Sequence, residues 1–84
     1  MERYQVFLHL ELLEAIPKRQ NHRQQILKFI HSLQDYPFIA GDFTDKNASL
    51  QIRQIKIVGD FAVTYWVDHP VKTVMIVDIS RADH

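Results

Sequence analysis

Four side chains in the C-terminal half of this 84-residue chain could handle a phosphate. Arg53 and Lys56 lie in a β-rich run, Arg81 follows the last such run, and His84 is the final residue. A guanidinium grips phosphate through paired hydrogen bonds, and a positioned cation neutralises charge that develops on a phosphate under attack. An imidazole titrates near neutral pH, so it can serve as general acid or general base. Each position also has a plain structural role. Arg53 and Lys56 could be the solvent side of a half-buried strand, and Arg81 could pair with Asp78 or Asp83. His84 sits where chains fray.

Other residues carry weaker signals. Tyr65 and Trp66 face opposite ways on one strand. Tyr65 goes with Val63 and Val67 into a core, whereas Trp66 shares its side with Ala62 and Thr64. If that side is open, Trp66 would be a stacking platform or a partner-binding anchor. His69 reads as a solvated turn residue, His22 and His31 as part of a solvated helix face, and His9 as a packed side chain. No metal site is expected from this set. No cofactor motif is present either: there is no glycine-rich phosphate loop, no nucleophile elbow and no helical His pair four residues apart.

The elements that must position these groups follow from periodicity. Tyr4 to Leu10 alternates with period two, which predicts a strand. Glu11 to Ile16 is a run of helix formers stopped by Pro17, since the residue before proline is driven out of the helical region. Pro17 suits the first turn of a second helix, and Asn21 could cap it. Within that helix Ile26, Phe29, Ile30 and Leu33 form one apolar stripe, and the helix ends near Tyr36-Pro37. Phe38 to Ser49 reads as a loop pinned by Phe38, Ile39 and Phe43.

Leu50 to Val58 predicts a strand whose alternation changes phase, through a bulge or through burial on both faces. Gly59-Asp60 turns the chain into Phe61 to Val67, and Asp68-His69-Pro70 turns it again into Val71 to Ile79, apolar on both faces as a central strand is. The expected fold is α+β: an N-terminal strand, a helical hairpin and a three-stranded antiparallel meander in one domain, residues 1–84. The helices cover one sheet face and leave the other concave and partly open.

Composition narrows the possibilities. At 46% hydrophobic and 24% charged, with two Gly and three Pro, the chain is an ordinary globular one. It has no cysteine, which excludes a disulfide framework, thiolate zinc ligands and cysteine catalysis. Its apolar runs are too short to span a bilayer, and Met1-Glu2-Arg3-Tyr4 has no signal-peptide character. A cytoplasmic, soluble protein without a membrane partner is expected. Formal net charge is zero, unlike most nucleic-acid binders. The sign is uneven, however: Ala15 to Gln34 holds Lys18, Arg19, Arg23 and Lys28 and no acid.

The run from Arg53 through Gly59-Asp60-Phe61 to Val67, followed by Val71 to Arg81, resembles the sheet of RelE/ParE-type toxins. The helix ending in Ser32-Leu33-Gln34-Asp35-Tyr36-Pro37 is similar to that superfamily's second helix and its exit. The resemblance implies a small toxin of a type II toxin–antitoxin system. RelE-like members cleave mRNA in the ribosomal A site, using basic residues on the sheet and near the C-terminus. ParE-like members share the fold, lack that set and inhibit DNA gyrase. Both are neutralised by an antitoxin, and the resemblance also allows a homodimer.

Carried over by position, Arg53 matches a basic site on the first meander strand and Arg81 the one after the last strand. Lys56 reaches a second basic site through a one-residue slip, and His84 stands in for a C-terminal Tyr or His. Ala62 replaces the arginine of the glycine–x–aromatic–arginine element of ribonucleolytic members. Two functions follow. One is a ribosome-dependent endoribonuclease with Arg53 and Arg81 stabilising the transition state, Lys56 in support and His84 exchanging protons. The other is a non-catalytic protein on the same fold, a gyrase inhibitor or a degenerate toxin held by its antitoxin.

Overall fold

The computed structural model describes residues 3–46 and 51–82. Seven elements follow in order: β1 (Gln5–Leu8), α1 (Leu10–Ala15), α2 (Gln20–Ser32), β2 (Phe43–Lys46), β3 (Ile52–Val58), β4 (Phe61–Asp68) and β5 (Thr73–Arg81). The strands form one sheet in the order β1-β5-β4-β3-β2. β1 runs parallel to β5, and the other neighbours are antiparallel. The α+β class is as expected, but Phe43 to Arg81 supplies four antiparallel strands where three were expected. The extra one, β2, lies within the expected loop. Its Phe-Thr-Asp-Lys sequence has no apolar alternation, and pairing with β3 from Phe43↔Ile55 to Lys46↔Ile52 makes it a strand.

α1 stops where Pro17 requires. Ile16 adopts an extended conformation (ψ 127°) and is 2% exposed, turned into the core. α2 starts later than Pro17 suggests. Arg19 occupies its N-cap position without a side-chain cap, and Asn21 lies inside the first turn rather than at the cap. Its apolar stripe behaves as the period predicts: Ile26, Ile30 and Leu33 are buried, each contributing about 1.5–3 kcal/mol. They meet Val63 and Tyr65 of β4 and Val74, Ile76 and Ile79 of β5 in one cluster. Phe29 adds a ring contact to Tyr65 at 5.7 Å.

The irregularity in the sheet falls in β5 rather than β3. β3 pairs β4 without a break from Gln54↔Tyr65 to Val58↔Phe61, so its change of phase reflects partial burial on both faces. In β5 the register passes from Thr64↔Asp78 to Tyr65↔Ile76, leaving Val77 as an extra residue. Three residues apart on a regular strand, Ile76 and Ile79 would face opposite ways. The bulge at Val77 puts both on the core side.

Gly59 takes φ +62° as the first of two residues linking β3 to β4, a conformation that glycine adopts at no steric cost. The long connection after α2 is fastened from beneath. The Tyr65 hydroxyl donates to the Ile39 carbonyl at 2.6 Å, the Gly41 N–H to Gln54 Oε1 at 2.8 Å, and the Asp42 N–H to the Ile55 carbonyl at 2.8 Å.

Burial, and next the negative charge of Asp42, push the Tyr65 phenol from 10.0 up to about 12. The fold holds the neutral phenol, so this contribution is complete below pH 10 and is lost as pH rises from 10 to 12. Phenolate absorbance from Tyr65 is expected only near the upper end of that range, with the urea midpoint falling across it. A Tyr65 that ionised near pH 10 in the folded protein would contradict this.

Candidate functional site

The sheet has one face under the helices and one without them. Cross-strand register sorts the residues: Phe61, Val63 and Tyr65 face the helices, so Ala62, Thr64 and Trp66 face away, as does Met75 opposite Trp66. Phe7 joins this open face beside Met75. Arg53 and Ile55 join it from β3, with Asp45 and Phe43 opposite them on β2. The open face is therefore mixed: Ser80 and Asp78 stand opposite Ala62 and Thr64, and Phe7 (53% exposed) and Phe43 (60%) stand out at its two margins.

Arg53 is the cation of this face, and it is fully engaged. Its Nε donates to Asp45 Oδ1 at 2.7 Å and its Nη2 to Asp45 Oδ2 at 2.8 Å. This hydrogen-bonded pair holds the Asp45 carboxyl below its ordinary range and raises the guanidinium, to which Asp78 adds a further negative field. An anion arriving here must displace one carboxylate and tolerate another.

Lys56, three residues on, faces the helix side opposite Val63. It lies 3.7 Å from Asp42 Oδ1, while the other oxygen of Asp42 accepts the Ile57 N–H at 2.7 Å. Arg81 is also on the helix side. It pairs with Phe61 across the ladder, and its guanidinium carbon lies 5.7 Å from the centre of the Phe61 ring, a cation–π distance. His22 meets the same ring edge-on at 5.9 Å, so it packs rather than standing free on a solvated face. His84 lies outside the described residues. Thus Arg53 and Arg81 are separated by the thickness of the sheet, and Lys56 is on the side away from Arg53.

A second feature was not legible from spacing. Pairing of β3 with β4 ends at Gln54↔Tyr65 although both strands continue. A cleft of about 560 Å³ opens there, between Phe38, Ile52, Trp66 and His69 among others. His69 is exposed but not isolated. Its ring stacks on Phe38 at 5.1 Å with an interplanar angle of 12°, and Tyr4 meets both rings edge-on. These three residues come from distant parts of the chain, and no local pattern announces them. His9, expected to be packed, is exposed at the N-cap of α1.

Compared with solved structures, the chain is similar to one in the crystal structure of the archaeal RelE–RelB complex from Pyrococcus horikoshii OT3. The TM-score is 0.76 at 21% identity, over 94% of each chain. The protein therefore has a RelE-like fold. No family model and no curated protein matches the sequence. Among the described residues, no helix is long and apolar enough to cross a membrane.

Proposed function

We propose that this chain is the toxin-type component of a type II toxin–antitoxin pair, bound by its antitoxin across the open sheet face and acting by binding rather than by cutting RNA. The RelE-like fold supports the first half of this reading. The Arg53–Asp45 pair carries the second. Endonucleolytic cleavage needs cations and a proton carrier around one phosphodiester, and loss of one positioned donor costs about 10²–10³-fold. Here the guanidinium on the open face is neutralised by a carboxylate, and Arg81 lies against Phe61 on the other side. The exposed aromatic margin of that face suits a protein partner, because buried aromatic anchors carry much of the energy of such interfaces.

One observation favours the ribosome-dependent endonuclease instead. Arg53 and Trp66 share the open side of the sheet, where a base could stack while a guanidinium held its phosphate. In that scheme Arg53 and Arg81 would bind phosphate and His84 would exchange protons, with Lys56 in support.

Inducible expression of the wild type and of Arg53→Ala and Arg81→Ala variants separates the readings, with growth followed and mRNA 5′ ends mapped on translated messages. The expected result is growth arrest without new in-frame ends, unchanged by either substitution. That outcome directs attention to a bound target such as DNA gyrase. In-frame cuts lost in either variant would establish the endonuclease and overturn the binding reading. No arrest at all would remove the toxin and leave the antitoxin-binding fold.

A further inference from the structure

We infer that the open sheet face takes an extended partner segment in which lysine or arginine alternates with apolar side chains. The inference rests on the reading that this face binds a protein, and it adds the chemistry of that partner. Strand register lays the face out in rows. One row is apolar: Phe7 of β1, Met75 of β5 and Trp66 of β4 stand side by side across three strands. Asp68 flanks this row on one side, two residues on from Trp66 and opposite Thr73. Asp78 flanks it on the other, opposite Thr64. Arg53 and Asp45 lie across the face towards the β2 edge.

The strand residues of this face carry negative charge. Asp45, Asp68 and Asp78 stand against the one guanidinium of Arg53, which Asp45 already holds. Among the described residues Asp68 and Asp78 are in no ion pair, and Asp78 accepts the Ser80 hydroxyl at 2.9 Å. The other strand cations, Lys46, Lys56 and Arg81, fall on the helix side by register. Lys72 belongs to the turn before β5, and Arg3 is bonded to Gln34 and Asp35 beyond α2. A chain of zero formal charge thus keeps two carboxylates without a cation, one on each side of an apolar row.

Spacing and charge together select the occupant. Asp68 and Thr64 are four residues apart on β4, about 13 Å along an extended strand. A segment laid along β4 matches this with cations four residues apart and an apolar residue midway, all three on one side of the segment. The apolar residue covers Trp66 and Met75, and such desolvated anchors are where interface energy concentrates. The cations meet Asp68 and Asp78, which fixes register and speeds encounter. Nucleic acid, an acidic segment or an anionic lipid surface would bring negative charge to a negative face. A second copy placed face to face would do the same.

The test is fluorescence anisotropy of the purified chain with a labelled peptide of three Lys-Ser-Leu-Ser repeats. Two control peptides carry glutamate for lysine or serine for leucine, and a single-stranded RNA of similar length is a further probe. The lysine–leucine peptide should bind at least tenfold more tightly than either control. Asp68→Asn/Asp78→Asn leaves the core untouched and keeps an acceptor for Ser80, so its thermal midpoint should hold. It should weaken the lysine–leucine peptide about fivefold, the size expected for two exposed ion pairs. Arg53→Gln releases Asp45 and should tighten this peptide, the opposite of its effect on a phosphate ligand. No binding of the lysine–leucine peptide at about 1 mM, or binding indifferent to the double variant, would overturn the inference. Equal or tighter binding of the glutamate peptide would overturn it too, while leaving the face a protein-binding one. RNA binding lost on Arg53→Gln would overturn both the inference and the reading beneath it. Self-association of the chain abolished by the double variant would assign the face to a second copy and overturn the segment.

Discussion

Tyr65→Ala is expected to lower folding stability by about 3–5 kcal/mol, the range for emptying a large buried aromatic site. For 84 residues the total should be roughly 4–13 kcal/mol at 0.05–0.15 kcal/mol per residue, so this one change can consume most of it. Tyr65 is 0% exposed at the centre of β4. Its ring lies against Phe29 of α2, and its hydroxyl reaches the Ile39 carbonyl. It therefore joins sheet, helix and connection at one point. Tyr65→Phe separates the two roles: it keeps the ring, orphans one carbonyl and should cost about 1–3 kcal/mol. Urea unfolding of both variants checks this. A loss below 1 kcal/mol for Tyr65→Ala would mean that the core is not built around this ring.

Gly41→Ala should cost about 2–4 kcal/mol, combining overpacking with lost hydrogen bonds. A Cβ on Gly41 would stand 2.6 Å from the Ile55 carbonyl oxygen and 2.7 Å from its nitrogen. Both are backbone atoms of an inner strand and cannot swing aside as a side chain would. The connection must lift instead, taking with it the Gly41–Gln54 and Asp42–Ile55 hydrogen bonds and loosening Asp42 from the Ile57 N–H and Lys56. Hydrogen exchange should show the Asp42 and Ile57 amides losing protection more than those of β4. Uniform protection at unchanged stability would contradict the close approach.

The residues that declared themselves in the sequence are those whose environment is set by their own element. Ile26, Ile30 and Leu33 repeat at helical spacing and are buried together; Phe61, Val63 and Tyr65 alternate and face the core together. β2 was hidden because Thr44, Asp45 and Lys46 have no strand pattern until β3 lies beside them. The candidate site was legible as residue types but not as a constellation. Arg53 and Lys56 are an odd number of residues apart, so their opposite faces were available to arithmetic. The side taken by Arg81 depends on the bulge at Val77, which no local residue pattern signals. The Asp45 partner of Arg53 was invisible for the same reason as β2 itself. Trp66, by contrast, could be assigned to its side from Ala62 and Thr64 alone.

The parallel pairing of β1 with β5 sets a timetable for synthesis. Among the described residues, Gln5 to Leu8 pair only with Thr73 to Ile76, made about 65 residues later. At about 5–20 residues per second a ribosome needs roughly 3–13 s to cover that interval. Throughout it the first strand waits with Val6 and Leu8 uncovered, and α2 has no finished sheet to lie on. Such distant pairings are also slow to close. A chain interrupted before Thr73 therefore has its first strand unpaired, whatever the antiparallel strands before it have already formed.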